Sequence, residues 1–97
     1  MTTSTPETKS VIVHKYGGSS VADAEKIATI ARKICDRAET GVSMVIVVSA
    51  MGDSTDHLIE LANAVSGEQT PRARELDTLL STGELVTSTL MAMAITA

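Results

Sequence analysis

Apolar positions along this chain follow two different periods. Residues 11–13 form a short apolar run, VIV, that continues into His14 and Lys15. Residues 44–48, MVIVV, form a second run, β-branched and uncharged. Short runs of this kind predict strands covered on both faces, the second of them central in its sheet. Between the two, Ile27, Ile30, Ala31, Ile34 and Cys35 recur at helical spacing and predict a helix from Ser20 to about Ala38 that stops at Gly41. Lys26, Arg32, Lys33 and Arg37 fall largely off that stripe and are expected on its solvated side. Two strands joined by an amphipathic helix make a βαβ unit, so the strands should be parallel with a right-handed crossover. The class is α/β.

After the second strand, Leu58, Leu61, Ala62 and Val65 predict another helix. Residues 66–74 read as a loop broken by Gly67 and Pro71. Leu76, Leu79 and Leu80 predict a short helix over 75–80. A last helix is expected over 84–97, with Leu85, Val86, Thr89, Leu90, Met93 and Ala97 as its apolar stripe. Two capping boxes are readable, Ser20 with Asp23 and Ser81 with Glu84. The sequence halts on AITA without a helix-stop signal, which suggests a portion of a longer domain.

Composition narrows the function classes. A chain of 97 residues suits one small domain. Hydrophobic residues are 43%, with one Tyr and no Phe or Trp, so the core should be aliphatic. A net charge of −4 with no basic stripe and no stacking aromatics argues against nucleic acid as a partner. Cys35 is alone and His14 and His57 lie far apart, so neither a disulfide framework nor a metal pair is indicated. Residues 1–9 are Thr/Ser-rich with neither a cationic start nor an apolar segment, and are expected to be a disordered tail rather than a secretory signal. No stretch reads as long and apolar enough for a membrane span. A cytoplasmic protein is expected.

The chemistry-bearing stretch is VIVHKYGGSS, residues 11–20. A strand ends in a lysine, then two glycines, then hydroxyl residues. Glycines let backbone N–H groups approach a ligand closely, and a following helix N-terminus favours an anion. With Lys15 adding a full positive charge, Lys15, Tyr16, Gly17, Gly18 and Ser19 form a candidate phosphate site. An ordinary strand–turn–helix connection uses the same residues. Parallel topology brings a second loop, SAMGDSTD at 49–56, to the same sheet edge. There Ser49 and Thr55 are candidate ligand contacts, although Asp, Ser and Thr also serve as helix caps. Glu84 can cap a helix, or it can project into the site and bind a substrate ammonium group.

Three segments in this order, KYGGSSV at 15–21, SAMGDSTDHL at 49–58 and ELDTLLSTGE at 75–84, resemble the bacterial aspartokinases. The resemblance covers the chain from about Val11 to its end. It implies the three-layer αβα fold of the amino acid kinase superfamily, with residues 10–97 as the N-terminal part of the kinase domain and no ACT regulatory domain. It implies transfer of a phosphoryl group from Mg-ATP to the side-chain carboxylate of L-aspartate, the step that opens lysine, threonine, methionine and diaminopimelate synthesis. By the same resemblance Lys15 contacts the ATP phosphates and stabilises charge during transfer. Tyr16, Gly17, Gly18 and Ser19 complete the phosphate-facing turn, and Ser49, Thr55 and Glu84 hold aspartate. The Mg2+ comes with the nucleotide, and the parent enzyme is expected to be oligomeric. Because the family's kinase domain is more than twice as long, these residues alone are expected to be inactive and at best marginally folded. The alternatives are a kinase for another small acceptor, or a non-catalytic association module derived from such a kinase.

Overall fold

The computed structural model describes residues 10–67 and 69–97; the expectation of a disordered tail at 1–9 lies outside them. The elements run β1 (Val11–Tyr16), α1 (Ala24–Ala38), β2 (Ser43–Val48), α2 (Ser54–Ser66) and α3 (Ala73–Thr96). β1 and β2 pair in parallel, with Val11 opposite Ser43 and Tyr16 opposite Val48. Both strands therefore end at one edge, as a βαβ unit requires.

α1 follows its sequence pattern. Ile27, Ala31 and Ile34 are buried, with Ile30 packed against them. Together with Val21, Val48 and Met91 they form the core, flanked by Tyr16, Met44 and Ile46 from the inner sheet face. Cys35 is half-buried, its Sγ 3.5 Å from the Ile95 carbonyl oxygen of α3. The start of α1 differs from expectation. The cap is Asp23, whose Oδ1 accepts from the Lys26 backbone N–H at 2.8 Å. Ser20 instead closes the preceding turn, donating its N–H to the Gly17 carbonyl. A carboxylate one residue before the helix outcompetes a hydroxyl four residues before it, because it both accepts the bond and meets the helix dipole.

α3 departs further. The capping box expected at Ser81 and Glu84 does not form, and the short helix and the last helix are one 24-residue element. Ser81 donates its hydroxyl to the Thr78 carbonyl at 2.7 Å, which satisfies it inside a continuing helix. The buried stripe is Gly83, Thr87 and Met91, not the bulkier residues expected. Leu85, Val86, Leu90 and Met93 are exposed. Small residues at 83 and 87 allow close approach to the core, and Thr87, fully buried, donates its hydroxyl to the Gly83 carbonyl. Because it is unbroken, α3 is also long and apolar enough to cross a membrane by length and composition, with a mean hydropathy of 1.3.

The sheet is covered on one face only among the described residues. Met44, Ile46 and Val48 turn inward, whereas Val11, Val13, Val45 and Val47 are between 42% and 64% exposed. The strands' apolar runs predict cover on both faces, and the described residues supply it on one.

Candidate active site

The site begins where the strands end. Tyr16 and Val48 are opposite one another at the last rung of the sheet, so the loop after β1 and the loop after β2 leave side by side. They are then stitched together by backbone. The Ser49 N–H donates to the Tyr16 carbonyl at 3.1 Å, and the Gly52 N–H donates to the Gly18 carbonyl at 2.9 Å. The second bond explains the glycine at 18: a Cβ there would stand 2.9 Å from the Ala50 carbonyl oxygen and 3.1 Å from that of Gly52. Gly17 is different, with open space where its Cβ would be.

The third motif reaches the same place through α3. A Cβ on Gly83 would lie 3.0 Å from the Ala50 Cβ and 3.6 Å from the Leu58 Cδ1. The middle of α3 therefore rests on the β2–α2 loop. The three segments singled out in the sequence meet, with Ala50, 5% exposed, at their junction.

Each candidate residue has a defined position on this frame. Lys15 is the penultimate residue of β1, exposed, and alternates onto the side of Val11 and Val13. Tyr16, half-buried, points to the opposite side, its ring edge-on to His14 at 6.1 Å between centroids. Gly17, Gly18 and Ser19 form the turn. Ser49 is half-buried directly after β2. Thr55 is exposed in the first turn of α2, whose cap residue Asp53 makes no side-chain capping bond. Glu84 is exposed in the interior of α3, one residue past the junction at Gly83. Its position rules out the helix-capping role that the sequence left open for it.

Two features were not anticipated. The turn does not open a helix directly: residues 21–23 intervene, and Asp23 occupies the α1 N-terminus. Positive charge reaches the turn instead from Lys26, which is exposed as its place off the apolar stripe predicts and whose Nζ lies 3.2 Å from the Ser19 carbonyl. The second feature is the contact role of Ala50, whose only signal was a small residue between hydroxyl and glycine positions. Beside the junction lies a groove of about 330 Å³ between the start of α2 and the middle of α3, lined by Met51, Asp53, Ser54, His57, Leu58, Thr82, Gly83 and Val86. None of Lys15, Ser49, Thr55 or Glu84 lines it.

Comparison with known proteins gives this geometry a context. Residues 10–97 match the model of the amino acid kinase family. An aspartokinase from Mycolicibacterium smegmatis is 52% identical over 85 residues, covering 88% of this chain and 20% of its own. An aspartate kinase from Pseudomonas fluorescens (strain SBW25) is 48% identical over 85 residues, covering 88% and 21%. The crystal structure of aspartate kinase from Synechocystis superposes with a TM-score of 0.84 at 46% identity, covering 90% of this chain and 14% of that one. The chain spans about a fifth of the length of the curated relatives it matches. The match runs through α3, which is thus an element of the kinase fold, and the parallel strands with flanking helices are part of its αβα architecture. By sequence and by fold, the chain belongs to the amino acid kinase family.

Proposed function

We propose that these residues form the phosphate-facing and acceptor-binding rim of an aspartokinase, which transfers the terminal phosphoryl group of ATP to the side-chain carboxylate of L-aspartate. The observation that carries this reading is the junction itself. Two loops and the middle of α3 converge at a single sheet edge through Gly18, Ala50, Gly52 and Gly83, and the residues in or beside them supply one ammonium group, two hydroxyls and one carboxylate.

The chemistry fits that set. The acceptor carboxylate is ionised at neutral pH, so no general base is needed. Catalysis reduces to alignment and to neutralising charge on the moving phosphoryl group. Lys15 supplies charge at the strand end, and the backbone N–H groups of the Gly17–Ser19 turn supply donors near it. Glu84 offers a carboxylate for the acceptor's ammonium group, with the Ser49 and Thr55 hydroxyls available to its carboxylates. A divalent cation held by the nucleotide's phosphates would lower the charge that Lys15 must offset. Among the described residues no three His, Cys, Asp or Glu side chains stand close enough to hold a metal by themselves. The setting is proposed to be cytoplasmic.

A segment exchange tests the reading. Residues 10–97 replace the matching segment of the Mycolicibacterium smegmatis aspartokinase, and ATP-dependent phosphorylation is measured with aspartate, glutamate, acetylglutamate and a nucleoside monophosphate as acceptors. Turnover confined to aspartate is expected. A folded exchange protein that prefers another acceptor, or uses none, contradicts it.

A second reading, an association module without activity of its own, is favoured by the open Val11, Val13, Val45 and Val47 face. It predicts that the 97-residue chain binds a kinase chain or itself, yet does not bind ATP.

A further inference from the structure

Ala50 touches both elements that carry the charged candidates, and it does so with different atoms. Its carbonyl oxygen faces the turn after Lys15, where a Cβ on Gly18 would come within 2.9 Å. Its methyl group faces α3, where a Cβ on Gly83 would come within 3.0 Å. Both contacts are tighter than side chains ordinarily tolerate, and Ala50 itself is buried. Glycine is a poor residue for a helix interior, and alanine the best. Local preference therefore favours alanine at 83. Against that preference, a Cβ at 83 fits only if the Ala50 methyl group gives way by a few tenths of an ångström.

We propose that Ala50 and Gly83 form a spacer pair that fixes the distance of Glu84 from the β2–α2 loop, and so sets the affinity for the amino-acid acceptor. Ala50 and Gly83 are positioning residues that act through Glu84. The assignment rests on the aspartokinase reading for the role of Glu84, but the packing it invokes does not. Because the Ala50 methyl group meets α3 at Gly83, enlarging either member of the pair should displace α3 and leave the phosphate-facing turn in place. The turn depends instead on the Ala50 carbonyl, which no side-chain change at 50 removes.

The test is a set of variants in the segment-exchange enzyme, read by separate KM values for the two substrates. Gly83→Ala and Ala50→Val should each raise KM for aspartate by about threefold or more, since the pair must separate by a few tenths of an ångström and misplacement near 1 Å can cost up to about a hundredfold. KM for Mg-ATP should stay within about twofold, a change worth little binding energy. Ala50→Gly combined with Gly83→Ala should restore aspartate KM, because the missing methyl group makes room for the new one. Ala50→Gly should fail to rescue Gly18→Ala, whose clash is with backbone. An unchanged aspartate KM in Gly83→Ala, an equal rise in both KM values, or no rescue by Ala50→Gly overturns the proposal.

The same pair is measured independently by thermal unfolding of the 97-residue chain. Gly83→Ala should lower the midpoint and Ala50→Gly should reverse the loss; additive shifts overturn the packing itself. If the exchange enzyme never uses aspartate while the unfolding coupling holds, the functional reading fails and the spacer contact stands.

Discussion

At the scale of single residues, position decides what each polar group is free to do. Along α3, the hydroxyls of Thr78, Ser81, Thr82, Thr87, Thr89 and Thr96 all bond to carbonyls of the preceding turn. They are satisfied locally and need no other role. Glu84 has no such outlet and sits exposed beside the loop junction. Replacing it with Gln keeps the size and removes the charge. If Glu84 holds the acceptor's ammonium group, Glu84→Gln in the segment-exchange enzyme should weaken aspartate binding by about tenfold or more, the scale of a lost charge-assisted hydrogen bond. Steady-state kinetics with aspartate varied at saturating Mg-ATP checks this; an unchanged KM would return Glu84 to the status of a surface residue.

At the scale of elements, the strands, α1 and the meeting of the two loops were legible in the sequence, while helix ends and buried faces were not. The strands announced themselves because a short β-branched run has few other uses, and parallel pairing then placed both loops at one edge. α1 was legible because Ile27, Ala31 and Ile34 bury bulk at helical spacing. α3 misled for the opposite reason. Its core-facing residues are Gly83, Thr87 and Met91, and two of those carry little apolar signal, whereas Leu85, Val86, Leu90 and Met93 carry much and stay outside. Close approach favours small residues, and a pattern read from hydrophobicity cannot see that preference. The α1 start was misread because Ser20 and Asp23 both suit a cap and only the backbone decides between them. Asp23 is the one that caps. Asp23→Ala should therefore cost about 1 kcal/mol, lowering the thermal midpoint of the chain by about 4–8 °C for a domain this small. Ser20→Ala should change it little. The two variants compared by circular dichroism melts separate the assignments.

At the scale of the whole molecule, the covered and uncovered faces of the sheet differ in kind. The inner face meets α1 and α3, while the four valines of the outer face stand open across both strands. The twist and alternation of a strand pair put these side chains in one contiguous row, and an exposed row of that composition promotes association. Val13→Lys with Val45→Glu should leave the inner core intact and reduce self-association of the 97-residue chain. Sedimentation velocity at several concentrations measures it: a lower mean mass in the double variant is expected, and an unchanged distribution would show that the face is inert. The chain spans about a fifth of its relatives, so the proposed acceptor rim is judged inside an assembled kinase domain.

That judgement turns on Lys15, the ammonium group one residue before the end of β1. In the segment-exchange enzyme, the most direct measurement is kcat for aspartate phosphorylation in Lys15→Ala. The convergence of charge on the phosphoryl group predicts a fall of about a hundredfold to a thousandfold, the usual cost of removing one transition-state donor, with the folded mass and melting midpoint retained. A Lys15→Ala enzyme that turns over aspartate at close to the original rate would contradict the account.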